Sequence, residues 1–187
     1  TSPGGGGGIR AGGTFTLDRS AVFGNDGAAS GGGVLLESST VATIVNSTIT
    51  ANPATTGAGF TSGKSSTVTV IDSTIAGNTG VGIHRGASLT IGGSIVSGNT
   101  AGNCSSAVTS AGHNLDSGTT CGFTATGDAQ SADPLLGPLF VHSGPTPTLK
   151  PAATSPAVNT STCTTATDQR GVARPQGGAC DKGSHER

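Results

Sequence analysis

What most limits this chain is a frame of six residues that recurs four times. Ser73-Thr74-Ile75-Ala76-Gly77-Asn78 has counterparts in Ser20 to Asn25, Ser47 to Asn52 and Ser94 to Asn99. With the copies aligned on Asn25, Asn52, Asn78 and Asn99, five positions earlier stand Ser20, Ser47, Ser73 and Ser94. Three positions earlier stand Val22, Ile49, Ile75 and Val96. Eight positions earlier stand Leu17, Ile44, Val70 and Ile91, and ten earlier Phe15, Ala42, Val68 and Leu89. Glycines open each unit (Gly4 to Gly8, Gly31 to Gly33, Gly57 and Gly59, Gly80 and Gly82), each group followed by Ile9, Val34, Phe60 or Ile83. The asparagines are 27, 26 and 21 residues apart. A period of this length belongs to repeat architectures, in which one unit cannot bury its own apolar face.

Alternation of apolar and polar residues within a unit is the period of a strand. Each unit holds three short runs of this kind, separated by Gly, Ser and Asn, and none is long enough to be stable alone. Stacking the units in register about 4.8 Å apart pairs every backbone group with the coil above and below. Aliphatic side chains then pile up inside, and Ser and Asn pile up at the corners, where Asn also tolerates left-handed backbone. The expected fold is all-β, a parallel β-helix (β-solenoid) of about four to six coils. A disordered Gly-rich chain is the competing reading, since 33 of the 187 residues are glycine. Disorder does not demand aliphatic residues at four fixed offsets.

Composition agrees with a thin core. The chain has 5 Phe and no Trp, Tyr or Met, a poor set for a globular interior but enough for a column of Val, Ile, Leu and Ala. A net charge of −1 without charge runs speaks against nucleic acid as a partner, and no apolar stretch reaches the roughly 20 residues of a membrane span. Cys104, Cys121, Cys163 and Cys180 form two equally spaced pairs with no metal or redox pattern. Two local disulfides are expected, each worth about 3 kcal/mol on a chain-entropy basis, and with them an oxidising, extracellular compartment. The chain shows no signal peptide and starts within a glycine cluster, as expected of a mature product or an excerpt.

Residues 1–103 are expected to form the repeat array, and residues 104–187 the final coil or coils and a disulfide-stapled cap. Residues 108–115 suit one more turn of strand. Asp133-Pro134-Leu135-Leu136-Gly137-Pro138-Leu139 and Gly144-Pro145-Thr146-Pro147-Thr148-Leu149 are Pro-rich and expected to be extended. Ser155-Pro156-Ala157-Val158 suits a short edge strand, and residues 167–187 a cap over the last open edge.

The repeats resemble the Gly-Gly-Gly-aliphatic and Asn-Ser-Thr-Ile coils of bacterial surface β-helix proteins of the pectate-lyase-like superfold. The C-terminal half resembles the choice-of-anchor Q domain. Gly112-His113-Asn114-Leu115, the two Pro-rich motifs, Ser155-Pro156-Ala157-Val158, Asp168-Gln169-Arg170-Gly171 and Arg174-Pro175 carry that likeness. It implies a right-handed parallel β-helix, secreted or held at the bacterial surface as part of a larger protein, without a defined activity. The family's closing Cys-Asp-Ile-Gly-Ala-Phe-Glu is Cys180-Asp181-Lys182-Gly183-Ser184-His185-Glu186 here, so a buried Ile and Phe become Lys182 and His185. The Asp that follows Ser-Pro-Ala-aliphatic in the family is Asn159.

The superfold hosts polysaccharide lyases and hydrolases, whose chemistry needs paired carboxylates or a cation site with a base. The array offers Asp18, Asp26, Glu37 and Asp72, and the row six before the asparagines (Arg19, Asn46, Asp72, Gly93) stacks a single carboxylate. His84 and Arg85 would have to meet Asp72 across coils; a solvated corner is the simpler reading. Gly24-Asn25-Asp26-Gly27 resembles one calcium-binding turn but is not repeated. Asp168 and Arg170 suit backbone pairing in the cap. The expectation is therefore no catalytic residue, no metal and no cofactor.

Outward rows carry the other signal. Thr16, Thr43, Thr69 and Thr90 stand nine before the asparagines, and Thr14, Val41, Thr67 and Ser88 eleven before. Such a Thr-x-Thr array suits an ice-binding face, although Thr is also a favoured strand residue. The leading expectation is a non-catalytic extracellular structural or adhesive β-helix. An uncovered first coil would template another copy, making it a head-to-tail filament subunit. The alternative is a carbohydrate-binding or polysaccharide-degrading β-helix, with a cell-surface polysaccharide as partner.

Overall fold

Because each repeat places β-formers in three short runs, its strands can pair only with their counterparts one unit away, and the structure shows that arrangement. The computed structural model describes residues 6–27 and 29–187. Thr1 to Gly5, which carry the start of the first glycine cluster and the uncapped opening of the first coil, lie outside the described residues.

Three parallel sheets run along the column. The first consists of β1 (Ile9–Ala11), β4 (Val34–Leu36), β7 (Phe60–Ser62) and β10 (Ile83–His84). The second stacks β2 (Thr14–Asp18), β5 (Val41–Val45), β8 (Thr67–Ile71), β11 (Ser88–Gly92) and β13 (Thr109–Ser110). The third stacks β3 (Ala21–Phe23), β6 (Thr48–Thr50), β9 (Thr74–Ala76), β12 (Ile95–Ser97), β14 (Leu115–Asp116) and β15 (Ala129–Gln130). A separate antiparallel pair, β16 (Leu136–Phe140) and β17 (Thr148–Pro151), follows. The parallel ladder therefore continues well beyond residue 103.

Register follows the repeat: Leu17, Ile44, Val70 and Ile91 stack on one another, as do Phe15, Ala42, Val68 and Leu89. Ala42, Ile44, Val68, Val70, Leu89 and Ile91 are fully enclosed, as are Val34, Phe60 and Ile83 of the first sheet. Each coil turns its corners in left-handed backbone. One such row is Gly6, Gly31, Gly57 and Gly80; a second is Arg19, Asn46, Asp72, Gly93 and His113; a third is Gly24, Ala51, Gly77 and Gly98. The ladder asparagines themselves do not take this conformation. The row that sequence reasoning weighed for carboxylates is a corner, which accounts for its Asn, Asp and Gly.

The asparagines and serines instead form two side-chain ladders of one polarity. Asn25 donates its backbone N–H and its Nδ2 to Asn52 Oδ1 at 3.0 and 3.1 Å. Asn52 does the same to Asn78, Asn78 to Asn99 and Asn99 to Asn103. Ser20, Ser47 and Ser73 each donate their backbone N–H to the hydroxyl of the next serine, and Ser94 donates to Asn114 Oδ1. Both ladders end on carboxylates: Asn103 Nδ2 donates to Asp116, and Asn114 N to Asp128 at 2.7 Å. An ionised carboxylate only accepts, so it ends a relay of donors.

The C-terminal end of the column is closed by residues 104–123. Val108, Phe123 and the Cys104–Cys121 disulfide join the main core there, and Val108 donates to Cys121 O. Residues 134–187, of which 167–187 are expected from the sequence to cover the last open edge, lie along the side of the column. They cover the outer face of the third sheet, where Thr48, Thr50, Thr74 and Ile95 are buried. The reason is a second apolar cluster outside the column, Ile95, Leu115 and Ala157, joined by Ala129, Ala132 and Leu136. Outward Ile95 and Leu115 need a cover that only the tail supplies. Residues 155–158 form turns rather than an edge strand: Val158 N donates to Ser155 O, and Ser155 Oγ is used on Pro134 O.

Candidate functional site

The tail concentrates most of the buried charge of the molecule on the third sheet. Its path is fixed at the left-handed corner row, where Thr165 Oγ1 donates to Asp72 Oδ2 at 2.8 Å and Asn46 Oδ1 at 3.2 Å. Across the sheet, Thr48 Oγ1 donates to Gln169 Oε1 at 2.7 Å, and Ser184 N donates to Thr74 Oγ1 at 3.0 Å. Gly183, at φ +89°, packs so closely that a Cβ there would stand 2.7 Å from Thr74 Oγ1 and 2.8 Å from Ile95 Cδ1. The Cys163–Cys180 disulfide ties the two arms of the tail together.

Asp168-Gln169-Arg170-Gly171 and Arg174 form two buried ion-pair centres. Asp168 accepts from the backbone of Arg170, Val172 and Glu186, and from the Arg170 guanidinium at 2.7 and 2.8 Å. Arg170 also donates to His142 O and Glu186 O. Arg174, its side chain sealed from solvent, donates to Glu186 Oε2 at 2.9 Å and to the carbonyls of Asp181 and Gly183. Glu186 completes its set with Gln176 N and Asp181 N. Asp168 and Arg170 thus pair with each other as well as with backbone.

Polar Lys182 and His185 occupy buried places, as their apolar counterparts would. Lys182 Nζ donates to Gly127 O at 2.6 Å, and burial pushes its pKa down. His185 is 2% exposed; its Nδ1 shares a hydrogen with Thr148 Oγ1 at 2.8 Å, while Nε2 has no partner. Burial, reinforced by the Arg170 charge, lowers its pKa to about 3. Burial raises Asp72 and Asp181 above the usual carboxylate range.

The remaining candidates are dispersed. His84 and Arg85 stand at the first sheet, with Arg85 N on Ser105 Oγ, and do not reach Asp72. Glu37 pairs with Arg10 and Asp18 with Arg19, both in solvent. Among the described residues, no three His, Cys, Asp or Glu side chains converge as a metal set. Thr16, Thr43, Thr69, Thr90 and Thr109 do line up across the second sheet, beside Thr14, Val41, Thr67 and Ser88. Rows of this kind repeat about every 4.8 Å along the column and about 6.7 Å across it. The sequence missed the docked tail; its one signal was the outward-facing pair Ile95 and Leu115.

Residues 1–101 match the family model described as right handed beta helix region. No curated protein and no solved structure matches the chain.

Proposed function

The chain belongs to the right-handed β-helix family, and from that premise we propose that it is a non-catalytic, extracellular structural or adhesive rod, held at a bacterial surface. The observation that carries this reading is the use made of its acidic groups. Asp116, Asp128, Asp168, Asp181 and Glu186 all accept backbone N–H groups. Asp72 is held by Thr165. Carboxylates committed in this way end ladders and anchor the tail; they do not form the opposed pair that glycoside hydrolysis needs.

Two disulfides suit an oxidising exterior, and no helix of the described residues is long and apolar enough to cross a membrane. Two of the motifs that resemble a choice-of-anchor Q region, Asp168-Gln169-Arg170-Gly171 and Arg174-Pro175, supply the arginines of the two ion-pair centres, which supports that assignment for the C-terminal half. A single rod is favoured over a head-to-tail filament, because both side-chain ladders end on carboxylates, which have no hydrogen to donate to a following copy. Electron microscopy with a thiol-reduced control tests this: short single rods are expected, and long fibres with a one-molecule repeat would overturn it. Release of unsaturated or reducing sugar from polygalacturonate or another polysaccharide would overturn the non-catalytic reading.

A further inference from the structure

The β16–β17 hairpin and the end of the tail border an open cleft of about 380 Å³. Its walls include the apolar Leu135, Pro138 and Pro151, and its polar side chains are His142, Lys150 and Arg187. No Asp or Glu lines it. Elsewhere in the tail each buried arginine has a carboxylate: Arg170 has Asp168 and Arg174 has Glu186. Lys150 has no ion-pair partner among the described residues, and the Arg187 guanidinium donates to Pro151 O at 3.1 Å. At the back, the His142 and His185 rings meet edge to face at 5.3 Å, and the Nε2 atoms of both are buried without partners. Burial holds His142 below its usual pKa, with the charges of Lys150 and Arg170 adding to it. Clefts lined by one sign of charge concentrate counter-charge.

We propose that this cleft binds an organic carboxylate, with the carboxylate between Lys150 and Arg187 and an apolar body along Leu135 and Pro138. A group that only accepts hydrogen bonds matches a cleft whose charged side chains, Lys150 and Arg187, are both cationic. The apolar wall continues onto Phe140 and Val141, which are 62% and 52% exposed, so the ligand has room for an apolar extension. This site stands on the hairpin and the end of the tail, and does not depend on whether the rod is structural.

The test is a titration of the isotope-labelled whole chain with sodium benzoate at pH 7 and low salt, following backbone amides by NMR. Benzamide and inorganic phosphate serve as comparison probes. Saturable shifts confined to Leu136, His142, Lys150 and their neighbours are expected, with a Kd on the order of 1–10 mM, about −3 to −4 kcal/mol. K150Q is expected to weaken binding about tenfold, and K150R to retain most of it. Benzamide is expected to leave these amides unmoved. The proposal fails if benzoate gives no saturable shift there, if benzamide shifts them equally, or if K150Q binds undiminished. Phosphate binding as tightly as benzoate would also refute it, by showing a general anion site without use for the apolar wall.

Discussion

Replacing His185 by Phe should remove a pH sensitivity that the wild-type chain carries in its interior. His185 is 2% exposed and its Nε2 has no partner, so charging the ring in place is costly, and its pKa falls from 6.5 to about 3. In the unfolded chain the ring takes up a proton near pH 6.5. Between about pH 6.5 and 3 the unfolded state therefore binds a proton that the folded state refuses, and stability falls as the pH drops. Each unit of separation is worth about 1.36 kcal/mol. At pH 5, about 1.5 units below the ordinary value, the loss is about 2 kcal/mol, and it approaches 5 kcal/mol near pH 3. H185F cannot titrate. It leaves Thr148 Oγ1 unpaired, which costs about 1 kcal/mol at every pH and cancels in the difference. Urea unfolding of both proteins at pH 7.5 and 5.0, with disulfides intact, gives a double difference of about 2 kcal/mol. Equal pH dependence in the two proteins would refute the reasoning.

Three further outcomes follow from the packing. N78L leaves the buried backbone N–H of Asn52 without an acceptor and its Nδ2 with Val22 O alone, and should cost about 3 kcal/mol by chemical unfolding. R174M strands Glu186 in a site where both side chains are sealed from water; a loss of about 3–5 kcal/mol is expected, together with faster hydrogen exchange over residues 168–186. G183A forces a Cβ against Thr74 and Ile95 from left-handed backbone, and should cost about 2–3 kcal/mol while the second-sheet amides keep their protection.

The column was legible because its determinants are local and periodic. Leu17, Ile44, Val70 and Ile91 announce an interior row by recurrence alone, and the stacked register fixes everything between them. The tail was not legible, because what fixes it is single and distant. Gln169 reaches Thr48 across 121 residues and Ser184 reaches Thr74 across 110, and no period links them. Lys182 is the clearest case. A lysine reads as solvent-facing, yet Nζ finds Gly127 O and Asn114 O inside; these are carbonyls of the last coils, and the second also accepts from Ala129 N. The positions of Asp168 and Arg170 were visible as a motif, but not the fold of the tail that makes them neighbours of His142 and Glu186.

A plain solenoid is nearly one-dimensional: each coil touches only the next, and unfolding can peel from an end. Here one segment crosses the stack. Thr146 holds the first coil at Arg19 O, Thr165 the second and third at Asn46 and Asp72, Gly183 the fourth at Gly93 O, and Lys182 the fifth at Asn114 O. To lose any coil, the molecule must first release a strap that all of them share. Tension or heat should therefore meet a single cooperative transition instead of a staircase, with each coil lending its stability to the others.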